Sequence, residues 1–76
     1  MTALPETLLV PLALTADAFV AQERVWRTYL VAVDARNVDA IYRLEPERER
    51  AGRAANEAVY ALRAALRDYA REVVAG

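Results

Sequence analysis

The side chains that most often carry out catalysis are missing from this chain. It contains no Ser, Cys, His or Lys, which removes the common nucleophiles, the common general base and the Schiff-base amine. Its glycines, Gly52 and Gly76, are too few for a phosphate-binding loop. Without Cys or His the usual zinc and iron ligands are absent as well. We therefore predict a protein that is not an enzyme and that holds no metal and no cofactor.

Carboxylates are the acid–base groups that remain, and they are densest at Glu45, Glu47 and Glu49. Residues two apart on a helix point to different sides of its axis, so these three carboxylates do not converge on one ion. Their spacing also does not match a calcium-binding loop. We interpret them as solvated charges in the first turn of a helix, where the helix dipole favours a negative charge.

A ridge of arginines is the second feature that could bind a ligand. Every basic residue of the chain is Arg. Arg63, Arg67 and Arg71 recur every four residues and lie near Tyr60, so guanidinium groups and one ring share a helix surface. Such a ridge suits phosphates or an acidic protein, but it suits a solvated face or an acidic second subunit equally well. The net charge of −1 argues against nucleic acid and against anionic membranes as partners.

The second half of the chain predicts the helix on which these residues lie, over residues 46–74. Apolar and small residues recur there at alternating spacings of three and four, which is typical of a helix packed against another helix. Pro46 suits the first helical position, and Gly76 suits the end of the helix. The stripe consists of Gly52, Ala55, Val59, Leu62, Leu66, Tyr69 and Val73.

The first half predicts a helix over residues 15–44, with Thr15 as its N-cap and Glu23 paired with Arg27. A second apolar strip indicates that this helix touches more than one neighbour. That strip consists of Val20, Val31, Val38 and Tyr42. The main stripe consists of Phe19, Glu23, Trp26, Leu30, Val33, Asn37, Ala40 and Leu44.

Two alternatives stay open at this point. The first helix could break near Arg36 and Asn37 instead, which would give three helices. Asn37, a polar residue on the main stripe, could pair with its counterpart in a second copy, cap the backbone of a neighbour, or face water where the helix frays or kinks. Residues 1–14 read as an apolar arm because Pro5 and Pro11 interrupt any helical rhythm. The arm could pack over its own helices or reach a second subunit.

From these elements we predict an all-α, single-domain protein, an antiparallel helical hairpin with an apolar N-terminal arm. A chain of 76 residues buries little surface alone, so we expect two copies to form a four-helix bundle. The predicted function is a non-enzymatic interaction or assembly module that self-associates. The alternative is a small nucleic-acid-associated regulator that uses the Arg ridge. The predicted interface residues are Trp26, Leu30, Val31, Val38, Tyr42, Leu62 and Leu66.

The location of the protein is predicted from the absence of particular segments. The apolar run of residues 8–14 is far shorter than the roughly 20 residues that span a membrane. It also has no basic segment before it, as a secretory leader would. We expect a soluble, cytoplasmic protein, with another protein as a possible partner.

Overall fold

The chain forms two long helices joined by a tight turn in the computed structural model, which describes residues 4–75. Helix α1 spans Glu6–Asp34 and helix α2 spans Val38–Ala75. No strand occurs in the described part of the chain. The molecule measures 57 × 22 × 14 Å, and its long dimension equals that of a 38-residue helix at about 1.5 Å per residue. The predicted all-α helical hairpin is confirmed.

The two helices run antiparallel along their shared length. Near one end, the Thr15 hydroxyl lies 3.2 Å from the carbonyl oxygen of Ala58. Near the middle, the Gln22 side chain comes closest to Gly52. Towards the turn, the ring of Tyr29 packs under the guanidinium of Arg48. Residues that face each other across the hairpin therefore have numbers that add up to about 74.

The strip where the helices meet is built mostly from small or short side chains. The residues of this strip follow alternating steps of three and four, as in an antiparallel coiled coil, and all of them except Gln22 are buried or half-buried. Small side chains let the helix axes approach closely, but they remove little apolar surface from water. On α1 the strip comprises Leu8, Pro11, Thr15, Ala18, Gln22, Val25, Tyr29 and Ala32, and on α2 Ile41, Leu44, Arg48, Ala51, Ala55, Ala58, Leu62, Ala65 and Tyr69.

The turn between the helices is formed by Ala35, Arg36 and Asn37. Arg36 has a positive φ of 55°, and the amides of Arg36 and Asn37 bond back to the carbonyls of Val33 and Ala32. This pattern is the Schellman motif that ends many helices. Asn37 then starts α2, because its Oδ1 accepts a hydrogen bond from the Ala40 amide at 3.1 Å.

The structure corrects the predicted boundaries. The chain reverses at residues 35–37, not at 44–46, so the alternative break near Asn37 was correctly placed but yields two helices and not three. Residues 6–14 of the predicted arm are helical, and residues 1–3 and Gly76 lie outside the described residues. Thr15 is not an N-cap: it is buried inside α1, where its hydroxyl donates to the Pro11 carbonyl at 2.7 Å.

Both misplaced boundaries came from proline. Pro11 lies in the second turn of α1, and Pro46 is the ninth residue of α2. An interior proline loses one backbone hydrogen bond and disfavours the helix by about 3 kcal/mol, but it does not forbid it. Pro46 is exposed, so water can bond the carbonyl that lost its donor. Continuing α2 through Pro46 keeps Leu44 buried against Ala32 and Ala40 near the turn.

Replacing Pro46 tests whether α2 is continuous. We expect Pro46→Ala to raise the free energy of unfolding by about 2–3 kcal/mol, because it restores a hydrogen bond in a helix interior. Urea denaturation followed by circular dichroism measures the change, with Glu47→Ala as the neighbouring control. Unchanged or lowered stability would mean that a helix begins at residue 46.

The Asn37 cap gives a second test of the turn. Asn37→Ala removes the acceptor of the Ala40 amide and should lower the free energy of unfolding by about 1 kcal/mol. Asn37→Asp keeps an acceptor and should stay within about 0.5 kcal/mol of the parent chain. Thermal denaturation of the two variants side by side decides this, and equal losses would show that the cap contributes nothing.

Candidate functional site

The hairpin leaves an unusually large share of its surface in contact with solvent. Its accessible area is 6202 Å², whereas a compact monomer of 8.5 kDa exposes about 4,700 Å² by the usual scaling with mass. Within the described residues no large side chain is fully buried. The residues that count as buried are Leu8, Thr15, Ala32, Ala40, Leu44 and Ala55.

The exposed apolar residues are concentrated on one broad side of the hairpin, which we call the apolar face. Helix α1 forms one half of this face and contributes the largest side chains to it. Phe19 is 49% exposed and Trp26 is 44% exposed, although residues of this size usually anchor a core. The α1 residues of the apolar face are Leu9, Leu12, Ala16, Phe19, Glu23, Trp26, Leu30 and Val33.

Helix α2 completes the apolar face with smaller and more polar residues. Gly52 and Val59 are partly covered by α1, whereas Leu66 and Val73 are exposed. Charged residues are few here and more numerous on the opposite broad side, so the two sides of the hairpin differ. The α2 residues of the apolar face are Val38, Tyr42, Glu45, Glu49, Gly52, Asn56, Val59, Arg63, Leu66, Ala70 and Val73. The charged residues of the opposite broad side are Asp17, Arg24, Arg43, Glu47, Arg50, Glu57, Asp68 and Arg71.

A groove of about 500 Å³ crosses the apolar face between the two helices. Its floor lies at Gly52, where a Cβ would meet only the Gln22 amide nitrogen, at 3.7 Å. The hairpin itself therefore does not need glycine at this position, and the missing side chain deepens the groove between Phe19 and Trp26. The groove is lined by Phe19, Gln22, Glu23, Trp26, Arg48 and Gly52.

A stack of two rings and one guanidinium fixes one wall of the groove. The Trp26 and Tyr29 rings stack at 5.7 Å with an interplanar angle of 18°. The Arg48 guanidinium lies 5.0 Å from the Trp26 ring centre and 4.3 Å from that of Tyr29, which is cation–π geometry. Glu45 holds Arg48 from the far side at 3.4 Å. These contacts position Trp26, which stays 44% exposed.

The predicted interface residues fall into three places. Five of them belong to the apolar face: Trp26, Leu30, Val38, Tyr42 and Leu66. Leu62 is partly buried in the strip between the two helices of the same chain. Val31, at 68% exposure, lies on the opposite broad side, which also carries Arg24.

The part of the predicted stripe that lies on α1, from Phe19 to Val33, belongs to the apolar face, whereas Ala40 and Leu44 of the same stripe are on α2 and are buried near the turn. Phe19, Trp26 and Leu30 were expected to meet α2, but Thr15, Ala18 and Ala32 occupy that position. The error came from assigning the largest apolar side chains to the contact within the hairpin. The predicted ion pair of Glu23 with Arg27 is confirmed at 2.7 Å, on the exposed side of α1.

The Arg ridge winds around α2 and does not form one flat basic surface. Arg63 belongs to the apolar face, Arg67 points to the outer edge and Arg71 belongs to the opposite side. Arg71 lies 3.9 Å from Asp68, so part of its charge is offset. Tyr60 is 68% exposed on the same outer edge.

Sequence reasoning missed Arg48 and the groove. Arg48 was one of several arginines near a predicted helix start, and its contact with Trp26 depends on the turn at Arg36–Asn37. Placing the turn there would have brought residues 26 and 48 together. Gly52 was the available signal, because a glycine inside a helix otherwise lowers its stability by about 1 kcal/mol.

The described residues were also compared with the requirements of a metal site and of a membrane span, and the chain was compared with known proteins. Among residues 4–75, no group of acidic side chains is arranged to hold a metal ion. Over the same residues, neither helix includes a segment with the length and hydropathy needed to cross a membrane. Comparison of the chain with protein-family models, with curated proteins and with solved structures found no match.

The Arg48 stack predicts a measurable contribution to stability. Arg48→Met keeps an unbranched chain but removes the cation, so we expect the free energy of unfolding to fall by about 0.5–1 kcal/mol. Trp26 is the only tryptophan, so its fluorescence emission reports directly on this contact. Arg53→Met, at an exposed position one turn further along α2, is the matched control. Equal effects of both substitutions would contradict the contact.

Proposed function

We propose that this protein is a non-enzymatic interaction module that self-associates through its apolar face. The observation that carries the proposal is that most of the exposed large apolar side chains lie on one broad side of the hairpin. A soluble monomer rarely presents a contiguous apolar patch of this extent, and larger patches mark sites of protein association. The absence of Ser, Cys, His and Lys supports a role in binding and not in catalysis.

The size of the apolar face supports a second copy of the chain as the partner. From Leu9 to Val33 the face extends about 36 Å along α1, and with the 22 Å width of the hairpin it covers about 800 Å². A stable protein–protein interface buries about 800 Å² per partner. Stacking two hairpins, each 14 Å thick, gives four helices with a nearly square cross-section, which is the shape of a four-helix bundle.

The alternative, a nucleic-acid-associated regulator that uses Tyr60, Arg63, Arg67 and Arg71, has less support. Those arginines face three directions, and Asp68 lies beside one of them. Binding to phosphates weakens steeply as salt rises, whereas apolar assembly does not. A salt titration therefore separates the two functions.

Two neighbouring substitutions test the proposed face. Leu30→Asp puts a charge on the apolar face and should weaken self-association at least 100-fold, because each dimer would bury it twice. Val31→Asp changes the next residue, which is more exposed but lies on the opposite side, and should change self-association less than about threefold.

Sedimentation equilibrium over a range of concentrations measures both variants against the parent chain. The parent should approach about 17 kDa at micromolar concentration, twice the monomer mass of 8.5 kDa. A folded parent chain that stays at 8.5 kDa throughout would refute self-association. A stronger effect of Val31→Asp than of Leu30→Asp would mean that the interface lies on the other broad side of the hairpin.

A further inference from the structure

Two charged residues of the apolar face, Glu49 and Arg63, are placed so that α2 complements a reversed copy of itself. Glu49 and Arg63 are both on this face, separated by two heptads, and Asn56 is at the midpoint between them. A two-fold axis that crosses α2 at Asn56 brings Glu49 of each copy opposite Arg63 of the other. The same axis places the two Asn56 side chains together, and a polar residue at such a position can set the register of a helical interface.

The other way of stacking two hairpins pairs like charges. In that arrangement α1 of the second copy would lie over α2, and residues whose numbers add up to about 74 would face each other. Glu23 would then approach Glu49 of the other copy, so two carboxylates would face each other, and the cation paired with Glu23 is Arg27 of its own chain. Like charges placed opposite each other in an interface disfavour that arrangement.

The axis at Asn56 also supplies an occupant for the groove. The numbers of facing residues in one chain add up to about 74, so Asn56 is level with Ala18 of α1. The two-fold axis therefore crosses α1 at Ala18. Residues of the two α1 helices that face each other across the dimer then have numbers that add up to 36. The centre of the groove, midway between Phe19 and Trp26, lies level with residues 13–14 of the second copy. Leu12 of that copy, which is 45% exposed, is about 2 Å away along the helix axis.

We infer that the partner is a second copy docked antiparallel about a two-fold axis at Asn56, and this inference rests on the proposed self-association. Each α1 lies on α1 of the other copy, and each α2 lies on α2. Leu12 of one copy fills the groove above Gly52 of the other. The pairs Glu49–Arg63 form twice, once at each side of the axis.

Cysteine crosslinking tests this arrangement because the chain has no cysteine of its own. Oxidation of Asn56→Cys with diamide should link the two copies, since helices in contact across a two-fold axis bring Cα atoms to within disulfide range. Glu57→Cys changes the next residue, which lies on the opposite broad side, and should crosslink at least tenfold more slowly. A short bismaleimide linker repeats the comparison without requiring disulfide geometry.

Exchanging the charges of Glu49 and Arg63 tests the same arrangement independently. Glu49→Arg and Arg63→Glu should each weaken the dimer about tenfold, because each creates two like-charge contacts per dimer, and the double variant should recover to within about threefold. Arg63→Glu also places a carboxylate four residues before Arg67, so the helix itself is not weakened.

The outcomes separate the two proposals. A parent chain that remains a monomer overturns both the function and the docking mode. A parent dimer in which Glu57→Cys crosslinks as fast as Asn56→Cys, or in which the double charge exchange restores nothing, overturns only the antiparallel arrangement. Fast crosslinking of Asn56→Cys together with recovery in the double variant supports it.

Discussion

Two helices in one chain share a single line of contact, and that constraint governs the rest of this structure. Small side chains such as Ala18, Ala55 and Ala58 occupy this line near Thr15, so the helix backbones come close enough there for the Thr15 hydroxyl to reach the Ala58 carbonyl. Close approach through small side chains leaves no room there for Phe19 or Trp26. The large apolar side chains must therefore lie beside the contact, on the apolar face. The surplus accessible area of the hairpin follows from the same constraint.

The polar contacts hold the hairpin without contributing much apolar burial. The Schellman turn at Arg36 and the Asn37 cap set where the chain reverses. The Arg48 stack then fixes α2 against α1 in the part of the hairpin nearer the turn. These contacts are worth about 1 kcal/mol each and are partly exposed, so they define a geometry more than they supply stability. In the proposed dimer, the second copy supplies the missing burial.

The helical hairpin could be predicted from sequence because the rhythm of threes and fours on α2 runs unbroken from Gly52 to Val73. The position of the turn could not, because two signals competed. Pro46 is the stronger local breaker, whereas Arg36 has no intrinsic preference for the left-handed conformation that it adopts. Only the packing of Leu44 against Ala32, which is a contact between distant residues, shows that the chain must reverse earlier.

The candidate site was partly predictable for a related reason. Trp26, Leu30, Tyr42 and Leu66 were predicted to be interface residues from their size and spacing, and all four lie on the apolar face. Val31 was grouped with them, yet it lies on the opposite side, because a shift of one residue rotates a side chain by about 100°. The groove at Gly52 depends on the register between the helices, which the periodicity of each helix alone does not contain.

The most direct measurement of the central claim is acrylamide quenching of Trp26 fluorescence as a function of protein concentration. Trp26 is the only tryptophan and is 44% exposed in the isolated hairpin. If a second copy covers the apolar face, quenching should fall several-fold as concentration rises, while circular dichroism at the same concentrations separates this change from folding. Quenching that stays at the exposed level at every concentration, with full helicity, would contradict the claim.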